Sequence, residues 1–287
     1  MATAPRGSSL GAEAWRRLRQ NRMAVLCLWI LFAILLLCVA GPWLSPYAPD
    51  AQDLAYGPHG PTLAHPFGTD LHGRDLLVRC MFGGRLSLSL GLSATAVALA
   101  VGVVYGAVSG YAGGWVDGLL MRAVDVLYVL PYMFVVILLL AAFGRSVGLL
   151  FLALGLVSWL TMARIVRGQI LSLKHAEYVD AARVAGVGPA GILFRHLVPN
   201  SLGPIVVYAT LTVPSLMLQE AFLSFLGLGV QPPAASWGLL VADGAQSLTF
   251  YPHLLIFPGA LLGLTLFSLN FLGDGLRDAL DPRMRVR

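Results

Sequence analysis

Residues 177–200 read EYVDAARVAGVGPAGILFRHLVPN, a charged, Ala-rich segment set between two long apolar ones. Glu177 to Ala185 is good helix material, and Gly186 stands where a left-handed residue would end that helix. Pro189 suits the first turn of a second short helix, running to about Leu197 before Pro199. Ala181 and Ala182 leave the first helix a narrow, nearly bald surface, with Asp180 and Arg183 beside it. Such a face fits a groove in another protein. An interfacial linker that touches only lipid is the other reading.

The flanking sequence says why such a knob needs explaining. Hydrophobic residues make up 57% of the chain and charged residues 11%, so its natural solvent is a bilayer. About 20 apolar residues cross a membrane as a helix. Six stretches qualify: Met23–Trp43, Leu86–Gly110, Leu119–Phe143, Val147–Val166, Leu202–Leu226 and Pro252–Leu272. The first follows RRLRQNR (16–22), yet its apolar run is long for a signal peptide and no small-residue cleavage site follows, so it is expected to stay as a span. The second, rich in Gly, Ala and Ser, is built for close approach of neighbouring helices. Pro131 and Pro214 are expected to kink the spans that hold them.

Basic residues set the orientation. With the N-terminus inside, Arg6, Arg16, Arg17, Arg19 and Arg22 are cytoplasmic. So are Arg122, Arg164, Arg167, Lys174, Arg183, Arg195, Arg277, Arg283, Arg285 and Arg287. These are fifteen of the 19 basic residues, leaving Arg74, Arg79, Arg85 and Arg145 outside. That asymmetry places both termini and the 177–200 segment in the cytoplasm. The domains read as a cytoplasmic arm (1–22), a first span (23–43) and an external loop with a short amphipathic helix (44–85). A five-helix core (86–274) follows, containing a cytoplasmic loop (167–200), and then a cytoplasmic tail (275–287). The basic residues are not clustered with stacking aromatics on a soluble face, which excludes a nucleic-acid binder.

Asp180-Ala181-Ala182, then Gly186, then Pro199 resembles the EAA loop of ABC-importer permeases, although Asp180 replaces the family's Glu and HLVPN replaces its Ile-x-Leu-Pro ending. HPFGTDLHGRDLLVRCMFGGRLSL (65–88), VSWLTMARIVRGQILSLK (157–174), EAFLSFLGLGVQPPAASWG (220–238) and NFLGDGLRDALDPR (270–283) are similar to the C-type permease of bacterial oligopeptide importers. The resemblance implies an all-α integral membrane protein of the type I ABC-importer permease design. It would have six transmembrane helices and sit in the bacterial cytoplasmic membrane, as a subunit translocating oligopeptides. The same design serves dipeptides, nickel or glutathione. The resemblance assigns ATPase docking to Glu177, Tyr178, Asp180, Ala181, Ala182, Gly186, Val187 and Gly188. It also implies a second homologous permease, two ATPase subunits and an external peptide-binding protein, in contact with membrane lipid. The tail would make a supporting contact with the loop or the ATPase.

Catalytic chemistry is not expected of this chain. Lys174 is its single lysine, and SLKHA (172–176) is no phosphate loop, so ATP and magnesium belong to the partner ATPases. Cys27, Cys38 and Cys80 show no CxxC spacing. His59, His65 and His72 match no metal-ligand template and read as part of a solvated external loop. In that loop a short helix is expected from Asp70, with Thr69 or Asp70 as its N-cap. Arg122 and Asp125, three apart, are expected to pair. Glu220, a carboxylate within a span, must face protein or a watery cavity. It therefore serves either the solute path or a structural hydrogen bond. An ion-coupled secondary transporter would need more buried ionisable groups than Glu220, and a membrane enzyme would need a nucleophile–base pair or metal spacing that the sequence lacks.

Overall fold

The computed structural model describes residues 10–280. Arg6, Arg283, Arg285 and Arg287 of the charge count lie outside them. Among the described residues the secondary structure is helical, with a single β-bridge between Thr69 and Asp75. Helix α1 (Leu10–Gln20) leads through Asn21 into α2 (Arg22–Leu44). There the Asn21 carboxamide oxygen caps the amides of Met23 and Ala24. Next come α3 (Leu76–Ala112), α4 (Gly114–Val129), α5 (Tyr132–Phe143) and α6 (Val147–Leu173). Helix α7 (Glu177–Val184) precedes a short run made of α8 (Pro189–Gly191), a π-helical stretch (Ile192–Leu197) and α9 (Val198–Asn200). The chain closes with α10 (Leu202–Phe225), α11 (Trp237–Gln246) and α12 (His253–Leu280).

Five helices, α2, α3, α6, α10 and α12, are long and apolar enough to cross a membrane. The sixth expected span, Leu119–Phe143, is two helices, α4 and α5, bent by 80°. Pro131 supplies the break, since it lacks the amide that would continue the ladder. Pro214, by contrast, sits inside an uninterrupted α10. The expected second span begins ten residues too late. No separate amphipathic helix forms in the external loop; α3 starts at Leu76, capped by the Asp75 carboxylate on the Val78 amide. Asp75, not Thr69 or Asp70, is the N-cap.

Arg79 and Arg85 are what make that long start possible. Arg79 pairs with Asp70. The guanidinium of Arg85 donates to the carbonyls of Cys38 (2.7 Å) and Val39 (2.5 Å) on α2. Pro42, four residues beyond Cys38, cannot donate to that carbonyl, so Arg85 replaces the missing helical bond.

The most extensive helix pair is α3 with α6. Gly106 lies against the Ala163 carbonyl so closely that no side chain fits, and a Cβ on Gly155 would fall 2.8 Å from the Ala94 carbonyl. Small residues thus bring two backbones into direct contact. On one side this pair packs against α5 and α10 through Leu90, Ala94, Leu140, Leu154 and Leu216. At one end of the bundle, Trp237 of α11 is fully buried among α2, α3, α10 and α12. Its indole donates to the Cys80 carbonyl (2.9 Å) and its amide to Ser87 Oγ (3.0 Å). At the other end α1 packs on α12 through Ala14, Leu18, Leu276 and Ala279. The start of the tail therefore lies on the N-terminal arm; the rest of the expected tail contact falls outside the described residues.

Candidate functional site: a helical knob at the end of the membrane bundle

Helix α7 ends as its sequence foretells. Gly186 has φ +81°, its amide donates to the Arg183 carbonyl (3.0 Å), and the Val187 amide donates to the Ala182 carbonyl (3.0 Å). These are the two bonds of a Schellman cap, which satisfies carbonyls the helix end leaves open. The second helix does not stop before Pro199. It runs on through the π-helical stretch and includes Pro199, then turns at Ser201 straight into α10. The knob is therefore built onto α10 as well as onto α6.

Its two alanines part company. Ala182 is 8% exposed and, with Val179, joins Ile170, Ile192, Leu193 and Leu197 in an apolar cluster beneath the knob. It is not part of the outward surface expected of it. Ala181 points out, together with Glu177, Asp180, Gly186 and Gly188, while Val187 is half-buried. Two apolar side chains complete that surface: Tyr178, 38% exposed, and Val184, 90% exposed. Val184 is absent from the sequence reading. The signal was available, because Val179 and Ala182 are three apart and must share one helix face, leaving 177, 180, 181 and 184 on the other.

Polar bonds hold the knob to the bundle. Arg183 donates to Asp180 (2.7 Å) and to the Lys174 carbonyl (3.4 Å), and Lys174 Nζ reaches the Gly110 carbonyl at the end of α3 (3.2 Å). Two turns deeper, Arg167 of α6 grips Asp117 of α4 through two hydrogen bonds of 2.6 and 2.5 Å, and Ser109 of α3 donates to the same carboxylate. A bidentate guanidinium–carboxylate pair fixes direction as well as distance. These bonds tie the junction of α6 and α7 to α3 and α4. Asp125 pairs with Arg164 (2.8 Å) and not with Arg122, and Arg164 also covers the Tyr128 ring.

Glu220 is 1% exposed, and its Oε1 accepts from Ser224 of α10 and Ser236 at the start of α11, both at 2.7 Å. Ser236 Oγ in turn caps the Leu239 amide. The carboxylate therefore joins the start of α11 to α10.

The loop between α2 and α3 is a collar tied at Asp70, and most of residues 51–66 stay exposed, as does His72. Asp70 accepts from the amides of His72 (2.8 Å) and Arg74 (3.0 Å), from Arg74 Nε (2.7 Å) and from Arg79. Burial disfavours its charged form, but Arg79, these amides and Arg74 outweigh burial and hold the carboxyl below the ordinary range. His59 and His65 both pack against Tyr56, His65 also bonds Asp75 (2.8 Å), and His72 lies beside Arg74.

Known proteins share this arrangement. The family model described as binding-protein-dependent transport system inner membrane component matches residues 102–286, and the N-terminal TM domain of oligopeptide transport permease C matches residues 9–66. The oligopeptide transport system permease protein OppC of Escherichia coli K12 is 56% identical over 97% of this chain and 93% of its own length. OppC of Haemophilus influenzae is 50% identical over 97% and 90%. The dipeptide transport system permease protein DppC of Bacillus subtilis is 45% identical over 95% and 86%. Among solved structures, a chain of the MetNI methionine ABC transporter in an inward-facing conformation has a TM-score of 0.57 at 17% identity. That match covers 72% of this chain and 96% of that one, and it shows the fold alone. The spans, the knob and these matches agree: the chain belongs to the inner-membrane permease components of binding-protein-dependent ABC transport systems, with a type I permease fold.

Proposed function

We propose that this chain is one of two pore-forming permease subunits of an ATP-driven importer that carries oligopeptides into the bacterial cytoplasm. The observation that carries the reading is the knob: a capped helix presenting Tyr178, Ala181 and Val184 outward while Val179 and Ala182 anchor it from beneath. Its outward face suits a cleft in an ATPase subunit, with Glu177, Asp180, Gly186, Val187 and Gly188 around the contact. Two ATPase subunits would bind ATP and magnesium, and this chain would add no chemistry of its own. A second, homologous permease would form the other half of the pore, and a soluble peptide-binding protein would dock on the outer collar. Both termini and the knob would then be cytoplasmic, as the basic residues favour.

Transport follows if ATP binding draws the ATPases together and the bundles shift between inward-open and outward-open states, a bias on an existing equilibrium. Import of oligopeptides rests on the relatives named OppC; a dipeptide importer is the second reading, favoured by the relative named DppC. The test is to purify the chain from membranes with its co-purifying subunits and reconstitute them in vesicles. Labelled di-, tri- and pentapeptides are then offered with the binding protein. ATP-dependent uptake of the longer peptides is expected. Uptake of dipeptides alone would move the assignment to the second reading, and retention of ATP-independent, ion-driven uptake would remove both.

A further inference from the structure

A polar stripe crosses spans that are otherwise apolar. On α10, Tyr208, Thr212, Ser215 and Gln219 recur at i, i+4, i+7 and i+11, which places them on one helix face over about 16 Å of rise. Ser158 and Thr161 of α6 line the same cavity, of about 290 Å³. A neighbouring cavity of about 400 Å³ shares Ser158, Thr161 and Gln219 with it, so the two form one groove. The far wall of the second cavity is the 127–132 stretch, where the third span breaks at Pro131. A helix end leaves its last carbonyls, and a helix start its first amides, without partners inside the helix. The break therefore leaves peptide groups outside the helical ladder in the wall of the groove.

The groove carries no Asp, Glu, Lys, Arg or His among its lining residues. Glu220 is turned away and held by Ser224 and Ser236, and the charges of Arg164 and Asp125, which lie beside Tyr128 at the groove's edge, are paired with each other. The hydroxyls of Ser158, Thr212 and Ser215 spend their hydrogens on carbonyls of their own helices, leaving their oxygens as acceptors. Ser215 is exposed and Gln219 half-buried. Polar groups at membrane depth must meet water, protein or a polar solute, and within this chain these are only partly met.

We infer that this groove is the solute path contributed by this chain, and that it holds an extended peptide through backbone amides and not through charge. The inference rests on the import reading above and names the part of the substrate that is recognised. The hydroxyl oxygens accept, and the Gln219 carboxamide and the open peptide groups at the break both donate and accept. Together they complement the donors and acceptors that a peptide backbone offers at every residue. A fixed charge in so apolar a setting would attract or repel side chains strongly and sort peptides by sign. Its absence lets acidic, basic and neutral peptides use one path.

Placing a charge there tests the idea. Uptake of an acidic, a neutral and a basic tripeptide is measured with the reconstituted complex for wild type, Gln219→Glu and Gln219→Lys. Wild type should take all three through the membrane step at comparable rates once each is saturating on the binding protein. Gln219→Glu should lower the acidic-to-basic uptake ratio by about tenfold, and Gln219→Lys should raise it. A ratio unchanged in both variants overturns the inference. If neither variant assembles, Ser215→Cys decides. Labelling by a charged, membrane-impermeant thiol reagent in at least one nucleotide state, slowed by peptide, supports a water-filled path. No labelling in any state would mean that the stripe seals against another helix bundle. A wild-type complex that imports none of the three peptides sinks the import reading itself, and the same cysteine then tells whether the groove is a path for something else.

Discussion

At the scale of single residues, the sharpest distinction lies between Ala182 and Val184, two positions apart in α7. Ala182 is packed beneath the knob and Val184 stands clear of it. Ala182→Arg should overpack the cluster around Ile192 and Leu193 at a cost of about 1–3 kcal/mol. Limited proteolysis of the isolated permease should then show a loosened loop even without ATPases. Val184→Arg should leave that digestion pattern unchanged and weaken ATPase co-purification; the reverse assignment of the two phenotypes would contradict the geometry. Gly186→Val puts a β-branched residue at φ +81°, which costs about 1–2 kcal/mol, and should loosen the same loop while leaving the spans intact. Asp70 gives a pH test. Its folded carboxyl lies below the ordinary value, so its stabilising effect is complete above about pH 3.9 and fades as pH falls through the lowered folded value. The difference in thermal stability between wild type and Asp70→Asn should be constant from neutral pH to about 5 and shrink below about 4. A difference that grows on acidification would show that another group governs the collar.

At the scale of elements, α11 depends on one carboxylate. Glu220→Ala leaves the Ser224 and Ser236 hydroxyls without their acceptor, a loss of about 1–3 kcal/mol, whereas Glu220→Gln keeps a carbonyl oxygen in place. Thermal unfolding in detergent should rank wild type, Gln and Ala in that order, with peptide charge selectivity the same in all three. An Ala variant as stable as wild type but altered in selectivity would place Glu220 on the solute path. Hydropathy made the spans legible, and the Gly186 cap was legible from a glycine after a polar helix. The first turns of α3 were not, because Arg79 and Arg85 look like the end of an apolar run. Only the fold shows that Asp70 and the proline-orphaned carbonyl of α2 receive them. Asp70 and Asp75 carry the same capping signal in sequence, and it is Arg74 and Arg79 that claim Asp70 and leave Asp75 to cap. Pro131 announced a disturbance, but not the 80° angle or that α5 beyond it packs against α6. The polar stripe on α10 was readable by its i, i+4, i+7 spacing and was masked by the proline and the carboxylate beside it.

At the scale of the whole molecule, orientation is the assumption that the other inferences share. Leu63 in the collar and His175 beside the knob are both exposed, while Cys27, Cys38 and Cys80 are buried. Leu63→Cys is a better reporter than a change at His65, which is committed to Asp75. Leu63→Cys should react with an impermeant thiol reagent from the periplasmic side. His175→Cys should react only once the inner membrane is opened, and bound ATPase should shield it. Labelling of position 175 from outside would invert the topology and separate the knob from ATP. The glycine seam between α3 and α6 bears on how the molecule is made. The ribosome releases Gly106 well before Ala163, and at about 5–20 residues per second the interval is several seconds. Through that time α3 waits in the bilayer with its backbone notched and uncovered, while α4 and α5 are threaded past it. A bare notch of this kind is open to any passing helix. Faithful biogenesis then depends on α6 arriving before a stranger does, so lengthening the α4–α6 connection should lower the yield of assembled protein more than it lowers the stability of the molecules that succeed.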